Sequence, residues 1–283
     1  MTASKTCHIV LLVYNSYRDP LCSSFFMSYV HQLHQPGRTF HLITFEQTAY
    51  AMSKDEQQKL RDELAQSSIH WYPLTYKSGR LMLIRKLMNF LEAYYRLIVL
   101  RLRYKPALMI SLANIAGIIG HLTGGMLGIK TCILSYEPHS EFLADFGLLG
   151  RKSLRYRLLH YLEMRAGRKS DFIITGTIHM EKRLKENSSA VVYRAPSAID
   201  GKVFFFDHEA RTKIRSELGI TDHDRVVIYA GKTGGLYLSA PELAALMVKF
   251  SRHHSRWHLL IVSPDDQNML RETFLSSGAD SER

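Results

Sequence analysis

From residue 8 onward, short apolar runs rich in β-branched and aromatic residues alternate with stretches of helical character. Residues 8–14 read as a strand, 21–34 as a helix and 39–46 as the next strand. Ser53 and Glu56 form a capping box that opens a polar helix running to residue 66. Residues 69–76 are a third strand and 80–104 a long helix, followed by strands at 108–112, 131–136 and 172–175 and a shorter one at 191–193. Strands separated by helices pair in parallel, because a tight hairpin cannot return the chain in the same direction. The expected class is therefore α/β with doubly wound parallel sheets.

The stretch 225–242, RVVIYAGKTGGLYLSAPE, repeats this unit with a special connection. Val226 to Tyr229 form a buried-type strand, and Gly231, Lys232, Thr233, Gly234 and Gly235 give a small-residue turn carrying one cation. Ser239, Pro241 and Glu242 are an N-cap, a first-turn proline and a first-turn acid, so a helix follows. Strand, glycine loop and helix together form an anion cradle, in which bare backbone N–H groups and a helix N-terminus face one charge. Two sharper motifs are excluded. A Walker A loop needs glycine where Val226 stands, and no Gly-x-Gly-x-x-Gly occurs in the loop.

A chain of 283 residues with 46% hydrophobic content can bury one large core or two. Cys7, Cys22 and Cys132 have neither ligand spacing nor a disulfide framework, which suggests a reducing, cytoplasmic setting. No signal peptide is legible in the N-terminal segment. The net charge of +11 favours an anionic partner such as a nucleotide or a lipid headgroup. Nucleic acid ranks lower, since no recognised module for it is present.

Two segments raise the question of membranes. Residues 106–129 contain no charged side chain, and Gly120, Gly124 and Gly128 lie four apart, as on the pairing faces of spanning helices. Asn114, His121 and the glycine content instead favour a strand, a turn and a helix packed closely on a sheet. The 80–105 helix carries Arg80, Arg85, Lys86, Arg96, Arg101, Arg103 and Lys105 against one acid, Glu92. Arg85, Asn89, Glu92, Arg96 and Arg103 share a helical stripe. The helix suits either the surface of an anionic membrane, with Arg85, Lys86, Arg96, Arg101 and Arg103 as contacts, or a core position with one solvated edge. A second basic stretch, 151–169, has Glu163 as its single acid.

The segment 194–204, with Pro196, Asp200 and Phe204, followed by Arg215, Leu218-Gly219-Ile220 and the strand ending in the glycine turn, resembles the interdomain crossing of GT-B glycosyltransferases of the family 4 type. Ser135, Tyr136, Glu137, Pro138, His139, Ser140 and Glu141 are similar to that family's acceptor-side loop. The resemblance implies two Rossmann-like domains, 1–197 and 198–283, and transfer of a sugar from a nucleotide-sugar to a saccharide or lipid-linked acceptor, with retention and without a metal or other cofactor. It gives His139 a place near the anomeric centre, flanked by Glu137 and Glu141, in a catalytic role. Gly231, Lys232, Gly234 and Gly235 would meet the donor diphosphate, and Asn15 and Ser16 would line the same crevice. The family's late Glu-x7-Glu element is missing, and only two candidate strands follow the junction, so the second domain is expected to be incomplete and activity impaired. A catalytically inactive binding remnant and a sugar-nucleotide epimerase of the same shape are the competing expectations.

Overall fold

The computed structural model describes residues 6–77, 79, 82–197, 201, 204–234, 238–251 and 256–279. These divide into two compact units, Met1–Ile199 and Asp200–Arg283.

The first unit is a seven-stranded parallel sheet made of β1 (Cys7–Val13), β2 (Arg38–Glu46), β3 (Ile69–Thr75), β4 (Leu108–Leu112), β5 (Lys130–Leu134), β6 (Phe172–Thr175) and β7 (Val191–Arg194). Their spatial order is β3-β2-β1-β4-β5-β6-β7, and every pairing is parallel. The chain therefore reverses its direction of travel between β1 and β4, the switch point at which open α/β sheets form a crevice beyond their strand C-termini. Side chains of β1 alternate strictly between faces. Ile9, Leu11 and Val13 join one buried cluster with Phe26 and Met27 of the 21–32 helical segment and Leu64 of α2 (Lys54–Gln66). Val10 and Leu12 join a second with Ala93, Leu97 and Leu100 of α3 (Met82–Tyr104). Both faces are covered, which explains why the strands read as continuous apolar runs.

The uncharged stretch resolves into β4 and α4 (Ala113–Leu127), the strand and helix expected of it, and no described helix is long and apolar enough to cross a membrane. Its glycines are contact points with the sheet. A Cβ at Gly120 would stand 2.2 Å from Ser111 Oγ, one at Gly124 2.4 Å from Thr131 Cγ2, and one at Gly117 2.8 Å from Ile133 Cγ2. Gly128 has a separate task, ending the helix at φ 62° with its N–H on the Gly124 carbonyl.

On α3 the charged stripe read from the sequence breaks up. Asn89 is fully buried, with its amide bonded to the Lys77 backbone and to Tyr14 Oη. Glu92 pairs with Lys77. Arg96 is half-buried with its guanidinium 5.2 Å over the Tyr72 ring, and Arg101 Nε donates to the Leu127 carbonyl at 2.9 Å. The face turned outward is apolar. Ile84, Leu87, Met88, Leu91, Tyr95 and Leu102 are exposed along it.

The second unit holds α8 (His208–Glu217), a two-stranded parallel sheet of β8 (Arg225–Ala230) and β9 (Trp257–Val262), α9 (Ala240–Ser251) and α10 (Gln267–Ser276). Leu243, Ala244 and Phe274 are its buried centre, packed by Tyr229, Leu259 and Ile261 from one face of the sheet.

Candidate functional site

Within the first unit, the loops after β1, β4, β5 and β6 meet at the strand C-termini beside the switch point. The loop after β5 is fixed from three directions. Ser135 Oγ donates to Asn114 Oδ1 at 3.1 Å, and Asn114 Nδ2 donates to the Glu137 carbonyl at 2.7 Å, which ties the loop to the start of α4. Ala113, the residue between β4 and that asparagine, sits at φ 61°. A side chain in the left-handed region costs about 1–2 kcal/mol, so neighbouring contacts hold the backbone there.

The loop expected at 135–141 turns at its end into a short helix, α5 (His139–Asp145). Pro138 cannot cap it, and a distant carboxylate does so instead. Glu163, on α6 (Leu154–Lys169), accepts the backbone N–H of His139 at 2.7 Å and that of Ser140 at 2.9 Å. The buried Ser140 hydroxyl lies 3.0 Å from His160 Nδ1, also on α6. Glu141 is gripped through both oxygens by Arg183 of α7 (Ile178–Asn187), and this hydrogen bonding holds its carboxyl below the usual range. His139 is left half-buried at the loop's edge and Glu137 is exposed. Of the three acceptor-side residues named from the sequence, Glu141 is committed to an ion pair, while His139 and Glu137 present side chains toward solvent access. Behind the loop lies a cavity of about 50 Å³ over Ile133, Ile173 and Met180, rimmed by Glu137, Glu163 and Arg183.

The loop after β1 supplies Asn15 and Ser16. Asn15 Nδ2 donates to Asp19 at 2.9 Å. Ser16 is fully buried, its hydroxyl accepting the Gln47 N–H at 2.7 Å, so it anchors the loop to the end of β2 rather than lining the crevice. Beside it, Glu46 accepts the Tyr17 N–H at 3.1 Å, and burial raises its carboxyl above the usual range. Gly176, after β6, allows Tyr136 to lie across the backbone, since a Cβ there would stand 2.8 Å from the ring.

The glycine loop of the second unit closes upon itself. Gly231 has φ 155° and Gly234 φ 79°, both open only to glycine without strain. Tyr229 Oη donates to the Lys232 carbonyl at 2.7 Å. Thr233 gives its N–H at 2.6 Å and its hydroxyl at 2.8 Å to Asp265, in the loop after β9, and these bonds depress the Asp265 carboxyl. Ala230 pairs with Val262, so the two loops leave the sheet side by side. Three backbone donors of the cradle are thus spent internally, Thr233 on Asp265, Gly231 on the Val262 carbonyl at 3.0 Å and Gly234 on the Leu238 carbonyl at 2.8 Å, and Lys232 is the exposed cation. Gly235 lies outside the described residues. Ser239 and Glu242 cap α9 reciprocally, through the Ser239 N–H to Glu242 at 2.9 Å and the Glu242 N–H to Ser239 Oγ at 3.3 Å. Neither Glu163 nor Asp265 was named from the sequence as a functional residue. The one signal for Glu163 is that it is the lone acid of a basic helix. Among the described residues, no three His, Cys, Asp or Glu side chains are grouped to hold a metal ion.

No family model and no curated protein matches the sequence. Solved structures do. The Phytolacca americana UGT2 complexed with UDP-2fluoro-glucose and pterostilbene matches with TM-score 0.60 and 13% identity over 97% of this chain and 74% of its own. The fold is GT-B-like. Sucrose-phosphate synthase from Thermosynechococcus elongatus matches with TM-score 0.59 and 13% identity, over 93% of this chain and 63% of its own. A UDP-N-acetylglucosamine 2-epimerase, so described for Listeria monocytogenes, matches with TM-score 0.61 and 12% identity, over 99% and 68%. The chain spans between 63% and 74% of the length of these GT-B-like proteins. At such identities the likeness concerns the fold.

Proposed function

We propose that this chain works on nucleotide-sugars as a glycosyltransferase of the family 4 type, moving a sugar to a saccharide or lipid-linked acceptor with retention at the anomeric carbon. The observation that carries the reading is the His139 loop, held by Asn114, Glu163 and Arg183 at the strand C-termini of a GT-B-like sheet. A pinned loop at that end can hold an acceptor hydroxyl and an anomeric centre in register, and such positioning supplies up to about 7–11 kcal/mol of a barrier. In the step itself the bond from the anomeric carbon to the diphosphate oxygen breaks. The acceptor oxygen bonds to that carbon, and the acceptor proton passes to the departing diphosphate. In this reading His139 donates a hydrogen bond beside the reacting carbon. Nucleotide-sugar is a substrate in this reading, and no resident metal or cofactor is invoked.

The structural likeness to a UDP-N-acetylglucosamine 2-epimerase favours one second reading, inversion at the sugar's second carbon without transfer to an acceptor. A panel of UDP-, GDP- and ADP-sugars separates the cases. Thermal stabilisation by one of them, followed by appearance of a glycoside only when acceptor is present, supports transfer. An epimeric sugar formed without acceptor supports the second reading. Stabilisation with neither product leaves sugar-nucleotide binding alone, and no stabilisation by any donor overturns both.

A further inference from the structure

Beyond sugar transfer, we propose that the outer face of the helix layer formed by α3, α4 and α6 docks on an anionic lipid surface. The three helices pack side by side on one face of the seven-stranded sheet, in that order, with Arg101 joining the C-terminal ends of α3 and α4. Their outward side is unusually apolar for a solvent boundary. Along α3, Leu91 is 52% exposed, Tyr95 66% and Leu102 76%, continuing a stripe begun by Ile84, Leu87 and Met88. Along α6, Leu154 is 80% exposed, with Leu158 and Tyr161 on the same side. Met126 of α4 is exposed between them. Crossover helices run antiparallel to the strands they connect. The N-terminal halves of α3 and α6 therefore lie at the end of the sheet that carries the His139 loop.

Charge decides what covers this face. Exposed Arg85, Lys86 and Arg103 border the α3 stripe, and exposed Arg155, Arg157, Arg165 and Arg168 border that of α6. The single acid of each helix is withdrawn, Glu92 into its pair with Lys77 and Glu163 onto the first N–H groups of α5. Neither helix therefore sets an unpaired carboxylate beside its stripe. Apolar side chains with cations at their edges match the two layers of an anionic membrane, acyl chains below and phosphates at the level of the guanidinium groups. A nucleic acid offers phosphates but nothing for the stripe.

The full chain should sediment with vesicles of phosphatidylglycerol and phosphatidylcholine at least about tenfold more than with phosphatidylcholine alone, and salt should weaken this, because charge attraction is screened over about 8–10 Å near physiological ionic strength. Leu87→Asp with Leu91→Asp, at exposed positions, should abolish binding while leaving the melting curve unchanged. If that pair disturbs folding, Lys86→Gln with Arg103→Gln serves instead, with binding lowered severalfold and its salt dependence flattened. Equal binding to both vesicle types overturns the proposal, as does full binding by either variant. Self-association that Leu87→Asp with Leu91→Asp abolishes, without vesicle binding by the parent chain, assigns the face to a second copy and overturns it too. The readout is sedimentation, so it stands or falls independently of turnover.

Discussion

Glu163 reaches across from α6 and takes the backbone N–H of His139 at 2.7 Å, so the residue named for chemistry is also the first donor of a helix whose cap comes from elsewhere in the fold. Removing that carboxylate leaves two N–H groups unpaired and frees the loop. Glu163→Ala should cost about 1–3 kcal/mol in urea denaturation, the range for unsatisfied groups of this kind. Glu163→Gln, which keeps one acceptor oxygen, should cost less. If the sugar-transfer reading holds, both should lower kcat more than they raise KM for the donor. An unchanged urea midpoint for the alanine variant would show that the cap contributes nothing.

The glycines of α4 give a paired test of close packing. Gly120→Ala puts a methyl 2.2 Å from Ser111 Oγ and should destabilise by about 1–3 kcal/mol. Gly125→Ala, on the same helix with nothing near the new atom, should stabilise by about 0.5–1 kcal/mol. Chemical denaturation of the two variants checks it, and shifts of the same sign would refute the packing account.

Acid should loosen the first unit through His41. This fully buried side chain sits 3.1 Å from His8 Nδ1 and 3.3 Å from Tyr72 Oη, and its ring lies near His70 and Tyr104. Arg96 and Arg103 stand over those two tyrosine rings. Burial, then the neighbouring histidines, lower its pKa from 6.5 to about 4. Between those values the unfolded chain binds a proton that the folded one does not. Stability should therefore fall as pH drops from 6.5 toward 4, by at most about 1.4 kcal/mol per pH unit for one histidine. Denaturation midpoints across that window should show the slope, and His41→Phe should flatten it.

Asp265 is the test of the glycine loop. Asp265→Asn keeps the size of the side chain but removes the charge that draws in the Thr233 N–H and hydroxyl. Under the sugar-transfer reading, donor-induced thermal stabilisation should shrink markedly while the melting temperature without donor moves little. The reverse pattern would make the contact purely structural.

The central strands β1, β2, β4 and β5 are legible because they are buried on both faces and read as continuous apolar runs. The 108–112 and 172–175 segments appear with the boundaries read from sequence, and the 226–229 strand is longer by one residue at each end. Glu56 and Ser53 also meet as the capping box required. Helix α5 was hidden because its cap lies on another helix, whereas local capping signals look only three residues ahead. Asn89 looked like part of a solvated stripe because its partners, Lys77 and Tyr14, come from other parts of the chain. Ser16 shows the same limit: a turn serine resembles any other until the end of β2 arrives to use its hydroxyl. His139 and Lys232 were legible as loop residues after strands, but what fixes their loops, Glu163 and Asp265, depends on neighbours that only tertiary structure supplies.

The sheet of the second unit has two strands, and on the face away from Leu243 and Phe274 it leaves Ile228 60% and Val262 55% exposed. A pair of strands covered on one side has few hydrogen bonds that water cannot reach, whereas β1 and β4 are sandwiched within seven. Amide protons of β8 and β9 should therefore exchange with deuterium long before those of β1 and β4. Calorimetry should resolve two heat-absorption peaks, so one melting temperature does not describe the whole chain. Brief protease digestion should trim from the second unit inward and leave a resistant body ending near β7.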